Sequence, residues 1–145
     1  MDNAGDDFAG HTCGALIKQI NDAITRQANN SLRKKNLTLT QMRVLMALHG
    51  SEATPLKEIE RRLKVAQSSA AGVVSRLRAK GLVTTYASPD DNRVKLVKLT
   101  ESGMQCCRDT WREIETVDAR MFTGISDEEI DTLSKLLTII CANLK

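Results

Sequence analysis

Residues 54–100, TPLKEIERRLKVAQSSAAGVVSRLRAKGLVTTYASPDDNRVKLVKLT, read as two short helices, a glycine stop, and two strands joined by a polar turn. Thr54 is an N-cap residue type and Pro55 suits a first helical position, after which Leu56, Ile59 and Leu63 fall on one face at helical spacing. A second helix is predicted from Gln67, with an apolar stripe of Ala70, Val73, Val74 and Leu77 and a stop at Gly81, where a left-handed residue is wanted. Two helices separated by so short a turn predict a helix-turn-helix.

The outer face of the second helix is unusual. At about 100° per residue, Ser68, Gly72, Ser75 and Ala79 lie opposite the apolar stripe, flanked by Ser69 and Arg76. A solvated helix face normally carries Lys and Glu, and a mid-helix glycine costs roughly 1 kcal/mol relative to alanine. Small residues there suit the close approach of another surface, such as the DNA major groove, where Gln67, Ser68, Ser69 and Arg76 have base-edge and phosphate chemistry. The plainer alternative is a bare surface helix. After Gly81 the period changes to that of strands, and Pro89-Asp90-Asp91-Asn92 is the turn of a β-hairpin. Arg93 at its edge, followed by Lys95, is placed to enter a minor groove, and Asp91 to hold the Arg93 guanidinium by paired hydrogen bonds. The alternative is an ordinary surface ion pair of little energetic weight.

Arg76-Leu77, Lys80-Gly81-Leu82-Val83, Asp91-Asn92-Arg93 and Leu99-Thr100-Glu101-Ser102-Gly103, with Leu39-Thr40 and Val44, Leu45 and Leu48 upstream, resemble the winged-helix signature of the MarR family of bacterial transcription regulators. The resemblance spans essentially the whole chain. It implies a homodimer on a pseudo-palindromic operator in double-stranded DNA, with a recognition helix in the major groove and a wing arginine in the minor groove. It also implies a small-molecule or oxidant signal that releases the DNA. Gly72, where the family often has a polar or basic residue, and Thr85, where an arginine often stands, depart from the pattern. The binding mode therefore carries over, and the operator sequence does not.

At 145 residues the chain suits one domain, 1–145, of mainly α class with a small β-hairpin wing: a winged helix-turn-helix over 37–100 flanked by dimerisation helices at 8–29 and 101–145. The net charge is only +3, but residues 54–100 carry ten Lys or Arg against four Asp or Glu. The basic surplus thus falls on the segment expected to meet phosphate. The acidic N-terminus lacks a secretory pattern, and no segment approaches the roughly 20 apolar residues of a membrane span, so a cytoplasmic protein without membrane contact is expected. Cys13, Cys106, Cys107 and Cys141 match no zinc spacing, and His11 and His49 add no metal pattern, so neither metal nor cofactor is expected. On a helix, Cys106 and Cys107 point about 100° apart, which predicts one in the core with Trp111 and one outward.

The first helix is expected from about Phe8 to Asn29, with Cys13, Leu16, Ile17, Ile20 and Ile24 on one face. Arg33-Lys34-Lys35 then reads as a solvated connection or a distant phosphate contact, and Leu39, Thr40 and Val44 as a hydrophobic staple around the next N-cap, in a helix closed by Gly50. Thr100 should cap a long helix bearing Met104, Cys107, Trp111, Ile114, Val117 and Met121. Gly124 interrupts it, and Ser126 and Glu129 open a last helix with a wide apolar surface. These terminal helices carry more apolar surface than one small domain covers, which predicts a symmetric dimer; a monomer with the helices folded back is the alternative.

No phosphate loop, nucleophile elbow or zinc-hydrolase helix occurs, so no enzyme is expected. The leading expectation is a DNA-binding repressor released by a small, partly apolar ligand, with His11, Arg43, Met46 and Trp111 as ligand contacts by family analogy. A second is the same protein switched by oxidation of Cys13, which resembles the reactive cysteine of the hydroperoxide-sensing branch; the tyrosines of that branch are missing, and Cys13 also fits an apolar stripe. A third is a winged-helix protein-interaction module, against which the basic surplus argues.

Overall fold

The computed structural model describes residues 12–64 and 67–145, with Gln67 and Ser68 given as backbone only. Helix α1 spans Cys13–Lys35, and the Thr12 hydroxyl caps it by accepting from the Ala15 amide at 3.3 Å. The expected start at Phe8 lies outside the described residues. The expected end at Asn29 is corrected: the helix continues through Lys35 and closes on Asn36, at φ 54°. Arg33, Lys34 and Lys35 are therefore a helical turn rather than a connection, because cations complement the carbonyl end of the helix dipole and Asn tolerates the left-handed cap.

Helix α2, Leu39–Leu48, is capped by Thr38, two residues before the expected Thr40. Thr38 wins because Gln41 stands three residues on. Its hydroxyl accepts from the Gln41 amide, and Gln41 Oε1 accepts from the Thr38 amide, each at 3.1 Å. The staple positions are accordingly Leu37 and Met42, both buried.

Thr54 and Pro55 do not begin a helix as expected. They form strand β1, antiparallel to β3, and Pro55 is the cap residue of helix α3, Leu56–Leu63, without a side-chain cap bond. Proline is tolerated there because β1 is an edge of the three-stranded sheet, ordered β1-β3-β2. Helix α4 spans Gln67–Ala79 and is followed by Gly81 at φ 72°. Strands β2, Val83–Ala87, and β3, Lys95–Leu99, pair from Val83↔Leu99 to Ala87↔Lys95 as the hairpin.

The core gathers Val44, Leu45 and Leu48 of α2, Ile59 of α3, Val74 and Leu77 of α4, and Val83 and Val97 of the sheet, all essentially inaccessible to water. Helix α5, Glu101–Met121, adds Cys107, whose Sγ donates to the Leu45 carbonyl at 3.5 Å. The expected partition of the two cysteines is only half right: Cys107 is buried, but Cys106 is also half-buried against the core, and Trp111 is 45% exposed rather than a core partner. The helix can come this close because Gly103 lacks a side chain; a Cβ there would stand 2.1 Å from the Leu82 carbonyl oxygen.

The chain divides into two compact units, Met1–Cys107 and Arg108–Lys145. In the second, α5 ends at Met121, Gly124 turns the chain at φ 81°, and helix α6, Asp127–Asn143, begins with the reciprocal Ser126 and Glu129 capping box. The α6 residues Leu133, Leu136, Leu137 and Ile140 are exposed, as are Leu16, Ile17, Ile20 and Ile24 of α1 in the first unit.

Gly103→Ala should lower unfolding stability by about 2–3 kcal/mol in a denaturant titration, because backbone must move to admit the methyl. An unchanged midpoint would show that α5 does not depend on this close approach.

Candidate nucleic-acid interface

Helix α4 turns Ala70, Val73, Val74 and Leu77 into the core, which leaves Ser69, Ser75 and Arg76 exposed on the other side. Gly72 is half-buried, and a Cβ built on it meets no atom within 4 Å. No steric demand of the fold thus requires a glycine there. Gln67 and Ser68 lie in the first turn of α4, and their side chains fall outside the described residues.

The wing is fixed by its own turn. Ser88 N–H donates to the Val94 carbonyl at 2.8 Å, and Val94 N–H to the Asp91 carbonyl at 2.9 Å. Asp91 Oδ1 accepts from the Arg93 amide at 3.0 Å and from its Nε at 3.1 Å, while Oδ2 accepts from an Arg93 terminal nitrogen at 3.3 Å. The paired geometry expected from sequence is present, and the Arg93 side chain remains 91% accessible. An ion pair this open adds little stability. Its effect is orientation: a long flexible side chain is held in one direction at the wing tip. Lys95 is exposed where β3 begins.

Two supports were not read from sequence. Arg78 donates from a terminal guanidinium nitrogen to the Thr85 hydroxyl at 3.3 Å, tying the end of α4 to the wing. Thr85, a departure from the family pattern, thereby has a local role. On α3, Glu58 accepts from Arg61 at 2.6 and 2.9 Å and from Arg62 at 2.9 Å, and these bonds hold its carboxyl at about 2; Arg62 also donates to the Ala47 carbonyl at 3.2 Å. The spacing from Glu58 to Arg61 and Arg62, three and four residues, was a visible signal for that network.

Of the proposed ligand contacts, Arg43 is exposed on α2, Met46 is half-buried against the core, Trp111 belongs to the second compact unit, and His11 lies outside the described residues. Cys13 is exposed at the first position of α1. Among the described residues, no group of three or more His, Cys, Asp or Glu could hold a metal ion.

The Arg93 hydrogen bonds hold the Asp91 carboxyl below the ordinary carboxylate range. A depressed value means that the carboxylate–guanidinium geometry is complete above the ordinary carboxylate pKa and is lost as pH falls through the lowered one. In carboxyl-detected NMR, Arg93→Ala should return the Asp91 midpoint toward the ordinary value; an unmoved midpoint would mean that Arg93 is not its partner in solution.

The arrangement has counterparts among known proteins. The model described as MarR family matches residues 35–93, from the last residue of α1 to Arg93. The HTH-type transcriptional repressor IacR of Pseudomonas putida is 26% identical over 129 residues, 89% of this chain and 77% of that protein. The HTH-type transcriptional regulator MhqR of Bacillus subtilis is 29% identical over 123 residues, 85% of each. The crystal structure of the S. aureus MepR–DNA complex superposes with a TM-score of 0.78 over 91% of this chain and 99% of that one; at 20% identity this likeness concerns the fold. The matched residues, 35–93, take in α2, α3, α4 and the first strand of the wing, so this part of the chain is similar to the MarR family.

Proposed function

We propose that the chain is a homodimeric, sequence-specific DNA-binding transcription regulator that represses a promoter and is released from its operator by a small molecule. The observation that carries this reading is the pairing, on one compact unit, of a recognition helix whose outer face is small and uncharged at Ser69, Gly72 and Ser75 with an exposed wing arginine aimed by Asp91. The first can lie close against base edges in the major groove; the second can reach a narrow minor groove. Arg76, Arg93 and Lys95 supply charge for phosphate or base contact, and the basic surplus of residues 54–100 draws DNA toward that side. Gln67 and Ser68 stand in the first turn of α4.

Dimerisation is supported by the exposed apolar residues of α1, α5 and α6, which isolated in water form larger apolar surfaces than a monomer normally leaves open. A second copy covers them symmetrically and sets two recognition helices about one DNA turn apart. No described helix is long and apolar enough to cross a membrane, and a DNA partner suits a cytoplasmic location.

A second reading, release by oxidation, is favoured by one observation: Cys13 is exposed at the first position of α1, where an oxidant can reach its sulfur. Cumene hydroperoxide should then release DNA from the wild type and not from Cys13→Ser, with a thiol reductant restoring binding. Indifference to the peroxide leaves the small-molecule reading alone.

Fluorescence anisotropy on DNA from the upstream region of its own gene tests the reading. Arg93→Ala should weaken binding by about 1–3 kcal/mol while leaving the fold intact. Gly72→Ala should raise thermal stability, by about 0.5–1 kcal/mol, since alanine is the better helix former and nothing stands in its way, yet weaken DNA binding because the methyl intrudes between helix and groove. Variants that bind as tightly as the wild type would remove α4 and the wing from the interface.

A further inference from the structure

Arg78 is exposed on the flank of α4 that faces the wing. At about 100° per residue it points roughly 160° away from Arg76 and lies beside the small outer face rather than on it. One terminal nitrogen donates to the Thr85 hydroxyl at 3.3 Å, and among the described residues no carboxylate pairs with the guanidinium. A guanidinium carries several N–H donors in a fixed fork, so one bond to a neutral oxygen directs the side chain and leaves most of its donors open.

Thr85 is half-buried where the wing leaves the core. It pairs with buried Val97 and shares that face of the hairpin with buried Val83 and Leu99. One step outward on the same face stand Ala87 and its partner Lys95, both exposed. The face that joins the core at its base is therefore open and cationic further out, and the small side chain of Ala87 puts nothing bulky opposite Lys95. From Arg78 past Lys95 to Arg93, three exposed cations run from the helix to the wing tip.

A protein with one element in a major groove and another in the adjacent minor groove straddles the sugar-phosphate strand that separates them. We infer that Arg78 binds a phosphate of that strand, held over it by Thr85, with Lys95 on the next stretch of the same backbone. Thr85 acts as a positioning residue: a short acceptor suits this place because the guanidinium comes from α4. The contact rests on the reading of α4 and the wing as the DNA-binding elements. It differs in kind from the contacts of Ser69 and Ser75, because a phosphate bond fixes the register of helix and wing without reading a base.

The test is a salt titration of DNA affinity with the full-length protein, on the upstream duplex of its own gene and on an unrelated duplex of equal length. Arg78→Gln removes one phosphate contact from each subunit of a dimer, so the log–log slope should become shallower by about 1.8. Binding at about 0.1 M salt should weaken roughly tenfold, equally on both duplexes. Arg78→Lys keeps the charge and the slope but loses the fork, and should weaken binding only about two- to threefold. Thr85→Val should cost about threefold in the wild type and nothing more in Arg78→Gln. Arg78→Ala, with a good helix former, repeats the slope measurement should Arg78→Gln not fold. A wild-type slope in the variant that folds would overturn the contact and leave the Arg78–Thr85 bond a brace between helix and wing. A loss confined to the upstream duplex would overturn it too, by making Arg78 a base reader, and additive losses for the pair would overturn the positioning role of Thr85. A wild type that binds neither duplex rejects the DNA-binding reading on which the contact rests; a wild type that binds and is matched by Arg78→Gln rejects the contact alone.

Discussion

The junction at Thr100 sets the positions on which the rest of the first unit depends. Its hydroxyl donates to the Gly81 carbonyl at 2.6 Å and accepts from the Gly103 amide at 3.1 Å, and its own amide donates to the Leu82 carbonyl at 3.1 Å. One residue therefore joins the stop of the recognition helix, the first strand of the wing and the first turn of α5. Each such bond contributes only about 1 kcal/mol net. Their joint effect is geometric, and it is available only because the backbone of Gly103 can lie against Leu82. These bonds fix the first turn of α5 to the end of α4 and to the start of the wing.

The same unit separates two duties that DNA recognition needs. In the proposed function, charge spread over residues 54–100 supplies attraction without sequence preference, and the small outer face of α4 supplies the proximity on which discrimination between bases depends. In that proposal Arg93 combines both, since a charge serves in a minor groove only when its direction is set, and Asp91 sets it at little energetic gain. The bonds from Lys80 to Asn36 and Gln41 connect the residue after α4 to the end of α1 and the start of α2.

Features encoded by local chemistry were legible in the sequence. The stripe of Ala70, Val73, Val74 and Leu77, the stop at Gly81, the hairpin and the Asp91–Arg93 pair depend on neighbours within one element, and each is present. What was misread depends on competition or on distance. Thr38 and Thr40 are both acceptable caps, and only the reciprocal bond from Gln41 decides between them. Strand β1 is two residues long and exists because β3 pairs with it, so Thr54 and Pro55 gave a helix-start signal that the sheet overrode. The end of α1 was hidden because a basic run suits a helix terminus and a solvated loop equally well. The grip of Lys80 on Asn36, 44 residues away, had no sequence signal at all. On the outer face of α4, Ser69, Ser75 and Arg76 are exposed and Gly72 is half-buried, which follows from the buried stripe opposite them.

The central claim is that this winged unit grips DNA through phosphate contacts around a recognition helix and a wing, and the most direct test is the salt dependence of its affinity for operator DNA. With several phosphates neutralised per dimer, the logarithm of the association constant should fall linearly with the logarithm of salt concentration, with a slope of about −4 or steeper, near −0.9 per phosphate. A slope close to zero would contradict the account, because a surface that holds its partner without releasing counterions is not bound to a nucleic-acid backbone.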